Sequence, residues 1–157
     1  MELIVVDDVS EKQLKKFISD SVGDKFQYQF ATGEIEQSYT GKPFLISITP
    51  KDTYIKIMTS LENGWPFLGS VIEANEYTAM KIRYFEDSLS AFYRWEKGVC
   101  VRILYALKDD NWVWYSKGEV QKWEKPSNYK NRLIRNRLTK EMLMNYLTAC
   151  GYNEIIN

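Results

Sequence analysis

The sequence predicts an α+β domain with a mainly antiparallel sheet, on three observations. Four strand-like runs follow one another from about Thr78 to Lys117, separated by short charged turns, which is the pattern of a meander. Three separate stretches, about 11–21, 64–74 and 139–150, repeat apolar residues at helical spacing behind capping residues. The 157 residues are 45% hydrophobic, 27% charged and 15% aromatic, which suits one packed core, so a single domain over 1–157 is expected.

Taken in order, Leu3 to Val6 is a short β-branched run and reads as a strand. Ser10-Glu11-Lys12-Gln13 is a capping-box pattern, with Leu14, Phe17 and Ile18 on one helical face and Gly23 as the stop. Phe26, Tyr28 and Phe30 alternate with polar residues, so Lys25 to Ala31 reads as a half-buried strand, and Ile35 to Tyr39 as a weaker one. Phe44 to Ile48 and Tyr54 to Thr59 flank Pro50-Lys51-Asp52-Thr53, the makings of a hairpin. Asn63 and Pro66 then mark a helix start ahead of Leu68, Val71 and Ile72.

The meander strands are Thr78 to Phe85, Leu89 to Trp95, Val99 to Leu107 and Asn111 to Lys117. With Trp95 opposite Val99, Phe85 opposite Ser90 and Leu107 opposite Trp112, the expected core face carries Met80, Ile82, Tyr84, Ala91, Tyr93, Trp95, Val99, Val101, Ile103, Tyr105, Trp112 and Trp114. The other face gathers Lys81, Arg83, Arg94, Arg102 and Lys117 with Phe92 and Tyr115: five cations, two rings and no acid. In this register Phe92 lies between the guanidinium groups of Arg83 and Arg102, an arrangement worth ~0.5–1 kcal/mol per contact when exposed. Its ordinary reading is a wet sheet face whose acids come from elsewhere in the chain. Its functional reading is a binding surface for an acidic protein, or for a nucleic-acid backbone with bases stacked on Phe92 and Tyr115.

Lys122 to Lys140 holds seven cations against Glu124, a local charge of +6, interleaved with Trp123, Tyr129, Leu133 and Ile134. A solvated connection explains it, and so does a nucleic-acid contact. Thr139 then caps a helix carrying Leu143, Tyr146 and Leu147, with Gly151 as its stop.

Composition narrows the chemistry. Lysine plus arginine and aspartate plus glutamate both number 21, so a polyanion finds no global attraction. No histidine is present, which removes Ser-His-Asp and Cys-His nucleophiles and histidine-based zinc catalysis. Cys100 and Cys150 lie too far apart in sequence for a zinc knuckle, and Cys100 reads as a small strand hydrophobe or, beside Arg94, an activated thiol. Asp7-Asp8, Glu86-Asp87 and Asp109-Asp110 fall in turns, where aspartate serves local hydrogen bonding. The glycines form no phosphate-cradling pattern. The expectation is therefore no catalytic residue, no metal and no cofactor. With no long apolar run and an acidic N-terminus, the chain reads as reduced and cytoplasmic, without membrane contact.

From Tyr93 to Glu124, about a fifth of the chain, the order of Glu96-Lys97-Gly98, Arg102, Trp112 and Gly118-Glu119-Val120-Gln121-Lys122-Trp123-Glu124 resembles small uncharacterised bacterial α+β proteins, a domain of unknown function. It departs in lacking the proline those sequences more often carry between Gln and Trp, and in its longer basic tail. Some similar proteins look like immunity proteins encoded beside toxins. The resemblance implies a non-catalytic interaction protein that binds an acidic protein partner. Nucleic-acid binding, and an enzyme or small-ligand carrier without histidine chemistry, stand as alternatives.

Overall fold

A computed structural model describes residues 1–23, 27–31, 44–51, 54–59, 65 and 67–152. The chain is α+β. Its strands are β1 (Glu2–Asp7), β2 (Tyr28–Ala31), β3 (Phe44–Pro50), β4 (Tyr54–Thr59), β5 (Ala79–Phe85), β6 (Leu89–Glu96), β7 (Val99–Lys108) and β8 (Trp112–Gly118). The helices are α1 (Glu11–Val22), α2 (Leu68–Ala74) and α3 (Lys140–Ala149). The eight strands run in the order β2-β3-β4-β1-β5-β6-β7-β8. The pair β2–β3 is parallel, whereas β3–β4, β1–β4 and β7–β8 are antiparallel. The expected strand Ile35 to Tyr39 and the helix signals Asn63 and Pro66 lie outside the described residues.

The chain divides into two compact units, Met1–Lys81 with Arg94–Cys100, and Ile82–Tyr93 with Val101–Asn157. In the first, β1 is apolar without alternation because it sits inside the sheet between β4 and β5, with Leu3, Ile4, Val5 and Val6 all buried. The capping box forms as its residues dictate: Gln13 N donates to Ser10 Oγ, and Ser10 N donates to Gln13 Oε1 at 3.1 Å. Helix α1 buries Leu14, Phe17 and Ile18, and Phe17 meets Trp65 and Tyr77 at ring separations of 6.3 and 5.7 Å. After β6 the chain reverses through Lys97 and Gly98, both at positive φ, the geometry of a two-residue hairpin turn. A Cβ at Gly98 would stand 2.8 Å from the Glu73 carbonyl oxygen, so only glycine fits beneath the end of α2.

In the second unit, strands β7 and β8 pair with Lys108 opposite Trp112, Tyr105 opposite Tyr115 and Arg102 opposite Gly118. Past Gly118 the chain folds back through 3₁₀ turns at Pro126–Lys130 and Ile134–Asn136 into α3, capped by Thr139 Oγ1 accepting from Met142 N. Phe92 is wholly buried against Trp123 and Tyr146, each ring 5.5 Å away and edge-on, and Trp114 lies against Tyr129 at 5.2 Å. Each such aromatic pair contributes ~0.5–1.5 kcal/mol beyond the area it hides.

Two expectations are corrected here. On β7 the buried side chains are Arg102, Leu104 and Ala106, whereas Val99 is exposed and Val101, Ile103 and Tyr105 are half-buried. The chain after Gly118 supplies the cover, and it lies on the side of β7 that had been expected to be wet. The β7–β8 register also differs by one residue from Leu107 opposite Trp112. That single step puts Trp112 and Trp114 on the Arg102 side and turns Tyr115 and Lys117 to the other.

Candidate interaction surface

Arg102 is 1% exposed, and its burial is stabilised by a complete set of partners. Nε donates to Glu124 Oε1 at 2.7 Å and Nη2 to Glu124 Oε2 at 2.6 Å, a bidentate pair, while Nη1 reaches Ser116 Oγ, Lys117 O and Gly118 O at 2.9–3.1 Å. Glu124 Oε1 also accepts from Gln121 N, and Oε2 from the Tyr129 hydroxyl at 2.7 Å. Because Tyr129 spends its proton on that carboxylate, the 2.6 Å contact between Tyr129 and Tyr146 requires Tyr146 to be the donor. Burial alone would lower the Arg102 guanidinium, but the bonds to Glu124 and its charge outweigh that and the net shift is upward. Burial pushes the Tyr129 hydroxyl well above its ordinary range, helped by the bond it donates to Glu124 and by that carboxylate's charge, and burial raises Tyr146 as well.

The seven residues expected to form one cationic surface are thereby dispersed. Phe92 and Arg102 are interior, so neither flanks nor accepts an external ligand. Arg83 stands over the Phe85 ring at 5.5 Å and not over Phe92. Lys81 Nζ lies 3.5 Å from Glu2 Oε1, and Arg94 Nε bonds Glu96 Oε1 at 3.0 Å, so two of the acids absent from the expected face are supplied by β1 and by β6 itself. Tyr115 and Lys117 stay together and accessible, on the opposite side of β8 from Arg102.

That opposite side is the feature sequence reasoning missed. The ladder sets Leu107 opposite Val113, Tyr105 opposite Tyr115 and Ile103 opposite Lys117 on one face of the β7–β8 hairpin. Leu107, Val113 and Tyr115 are 39, 49 and 38% exposed. Tyr105 and Tyr115 stack with ring centres 4.9 Å apart and planes 14° apart. Scattered exposed apolar residues are ordinary, but here Leu107, Val113 and the stacked Tyr105–Tyr115 pair share one short ladder, and contiguous patches of that kind mark interaction sites. The available signal was the unbroken run Trp112-Val113-Trp114-Tyr115, which puts large side chains on both faces of the strand but does not say which one the later chain covers.

Two clefts also open on this unit. One, of about 250 Å³, is lined by Trp123, Lys125, Asn128, Glu141, Met142, Asn145 and Tyr146. The other, of about 270 Å³, is lined by Tyr84, Glu86, Asp87, Trp112 and Arg135 among others. Both fall below the ~300 Å³ at which small-molecule pockets usually begin. No group of three or more metal-ligating side chains converges among the described residues, and among them no helix is long and apolar enough to cross a membrane.

The chain matches no protein-family model, no curated protein and no solved structure.

Proposed function

We propose that this chain is a non-catalytic interaction protein that engages a protein partner through the outer face of β7–β8. The observation that carries the reading is the apolar ladder of Leu107, Val113, Tyr105 and Tyr115, left open on a hairpin whose reverse side buries Arg102, Leu104 and Ala106. Tyrosine and branched aliphatic side chains beside a single lysine are the composition of an interface centre and not of a phosphate-binding groove. The resemblance of residues 93–124 to immunity-like proteins agrees with a binding role, though the partner contact lies on the Tyr115 side and not on the arginine side first expected. The test is a photo-cross-linking residue installed at Leu107, with a second at exposed Phe67 as reference, in the cells that make the protein. A discrete adduct at Leu107, lost on Tyr115→Ser with Val113→Ser, supports the reading. Equal, diffuse adducts at both positions refute it.

A second reading, nucleic-acid binding by the basic tail, draws on one observation. Glu124, the only acid from Lys122 to Lys140, is buried, so the surface of that segment presents Lys122, Lys125, Lys130, Arg132 and Arg135 without it. Such binding would weaken steeply with salt as counterions are released, and a binding titration with a mixed-sequence oligonucleotide at two salt concentrations decides it.

A further inference from the structure

Apart from partner binding on the outer β7–β8 face, we infer that the cleft between the Glu86-Asp87 turn and the start of α3 is a site for a free α-amino acid with an aromatic side chain. Its volume of about 270 Å³ is short of what a drug-sized ligand fills and suits a single amino acid.

The first observation is Ser90. It stands two residues before Phe92 on β6, so alternation sends its side chain to the side on which Phe92 packs against Tyr146 of α3. Ser90 is 6% exposed and lines the cleft, and its hydroxyl bonds no group among the described residues. A hydroxyl withdrawn this far from water, with no protein partner, is completed by what enters the cleft.

The second observation is that the cleft holds charges of both signs and keeps them apart. Glu86 and Asp87 come from the β5–β6 turn and Arg135 from the 3₁₀ turn before α3, and all three line the cleft. None of the three makes an ion pair or a side-chain hydrogen bond with a described residue. The carboxylates are therefore not spent on the local bonds that usually explain acids in turns, and the guanidinium does not neutralise them. Thr139, on the same wall, begins α3. Its hydroxyl caps Met142 N and its carbonyl accepts from Leu143 N, which leaves the N–H groups of Lys140 and Glu141 without an acceptor among the described residues.

The start of α3 with Arg135 favours an anion, and the turn favours a cation. A phosphate ester would meet the two carboxylates, and a simple amine would leave Arg135 and the helix start unanswered. An α-amino acid answers both, with its ammonium at Glu86 and Asp87 and its carboxylate at Arg135 and the first turn of α3. Ser90, three residues past Asp87, accepts from the same ammonium. Half-buried Trp112 lines the cleft as well and offers its indole to an aromatic side chain.

The experiment is calorimetric titration of the full chain with L-phenylalanine and with two derivatives that keep the ring, N-acetyl-L-phenylalanine, which has no ammonium, and L-phenylalaninamide, which has no carboxylate. L-Phenylalanine binds with a Kd of ~1 mM or tighter, and each derivative binds about tenfold more weakly or worse. Glu86→Gln with Asp87→Asn weakens L-phenylalanine by a similar factor and abolishes its advantage over the acetyl derivative alone. Arg135→Gln abolishes its advantage over the amide alone. These three positions are exposed, so the variants keep the fold, and a thermal melt of each checks it. No binding of L-phenylalanine, L-tyrosine or L-tryptophan up to about 10 mM overturns the inference. So does equal binding of L-phenylalanine and both derivatives, which would be an apolar contact without recognition of charge. The Leu107 adduct does not depend on either result, so the proposed function stands or falls separately.

Discussion

Arg102 and Glu124 are joined through both carboxylate oxygens, at 2.7 and 2.6 Å, with neither side chain more than 1% exposed. They are 22 residues apart in sequence, and the pair fastens the chain that follows β8 onto the inner face of β7. Taking a charge pair out of water costs several kcal/mol per ion, and here that cost is offset by bonds to every side of the pair.

Removing one member leaves the other charged and buried. Arg102→Ala and Glu124→Ala should each lower stability by ~3–5 kcal/mol, while Arg102→Met combined with Glu124→Leu should cost well below the sum of the two. Urea unfolding of the four proteins, followed by tryptophan fluorescence, checks this. Additive losses would mean that the pair is not coupled.

Tyr129 relays between Glu124 and Tyr146. Tyr129→Phe keeps the ring against Trp114 but strips both hydroxyl contacts, leaving Glu124 Oε2 one donor short, and should cost ~1–3 kcal/mol. Tyr146→Phe leaves the carboxylate bond intact and should cost less. The order of the two midpoints in a thermal melt is the measurement.

The raised hydroxyls of Tyr129 and Tyr146 set an alkaline limit. Both hold their protons in the folded chain beyond the ordinary value of 10.0, whereas the unfolded chain releases them there. The folded state therefore binds more protons above that point, and stability falls as pH rises. Melting temperature should lose nothing to these groups up to about pH 9 and then decline above pH ~10. The decline should be shallower in Tyr129→Phe.

Gly118 and Gly151 both adopt positive φ, +89° and +93°, but in different surroundings. A Cβ at Gly118 would stand 2.0 Å from the Val101 carbonyl oxygen, and at Gly151 it would meet nothing within 4 Å. Gly151→Ala should cost only the ~1–2 kcal/mol of the left-handed conformation. Gly118→Ala should cost more than that, because the β7–β8 pairing must also part to admit the methyl group. Chemical denaturation of both variants compares them directly.

Much of this was legible from local chemistry. Ser10 with Gln13, and Thr139 at the start of α3, announce their helices because a cap is settled within four residues. Lys97-Gly98 announces its turn because only a few residue types tolerate positive φ. The face shared by Phe92 with Trp123 and Tyr146 was harder to value. Five cations without an acid look like a surface when the acids that serve them, Glu2 on β1, Glu96 two residues from Arg94, and Glu124 past the end of β8, are not yet placed.

By itself, then, the sequence determined the α+β class and, among the described residues, the strands and helices, since these follow from side-chain period, caps and turns acting over a few residues. Which side of β7 lies inside was decided only by tertiary structure. Alternation divides a strand into two faces without ranking them, and the ranking came from the segment after Gly118 closing over Arg102 with Glu124 in hand. The same closure left Leu107, Val113 and Tyr115 to the solvent, and with them the surface on which the proposed function rests.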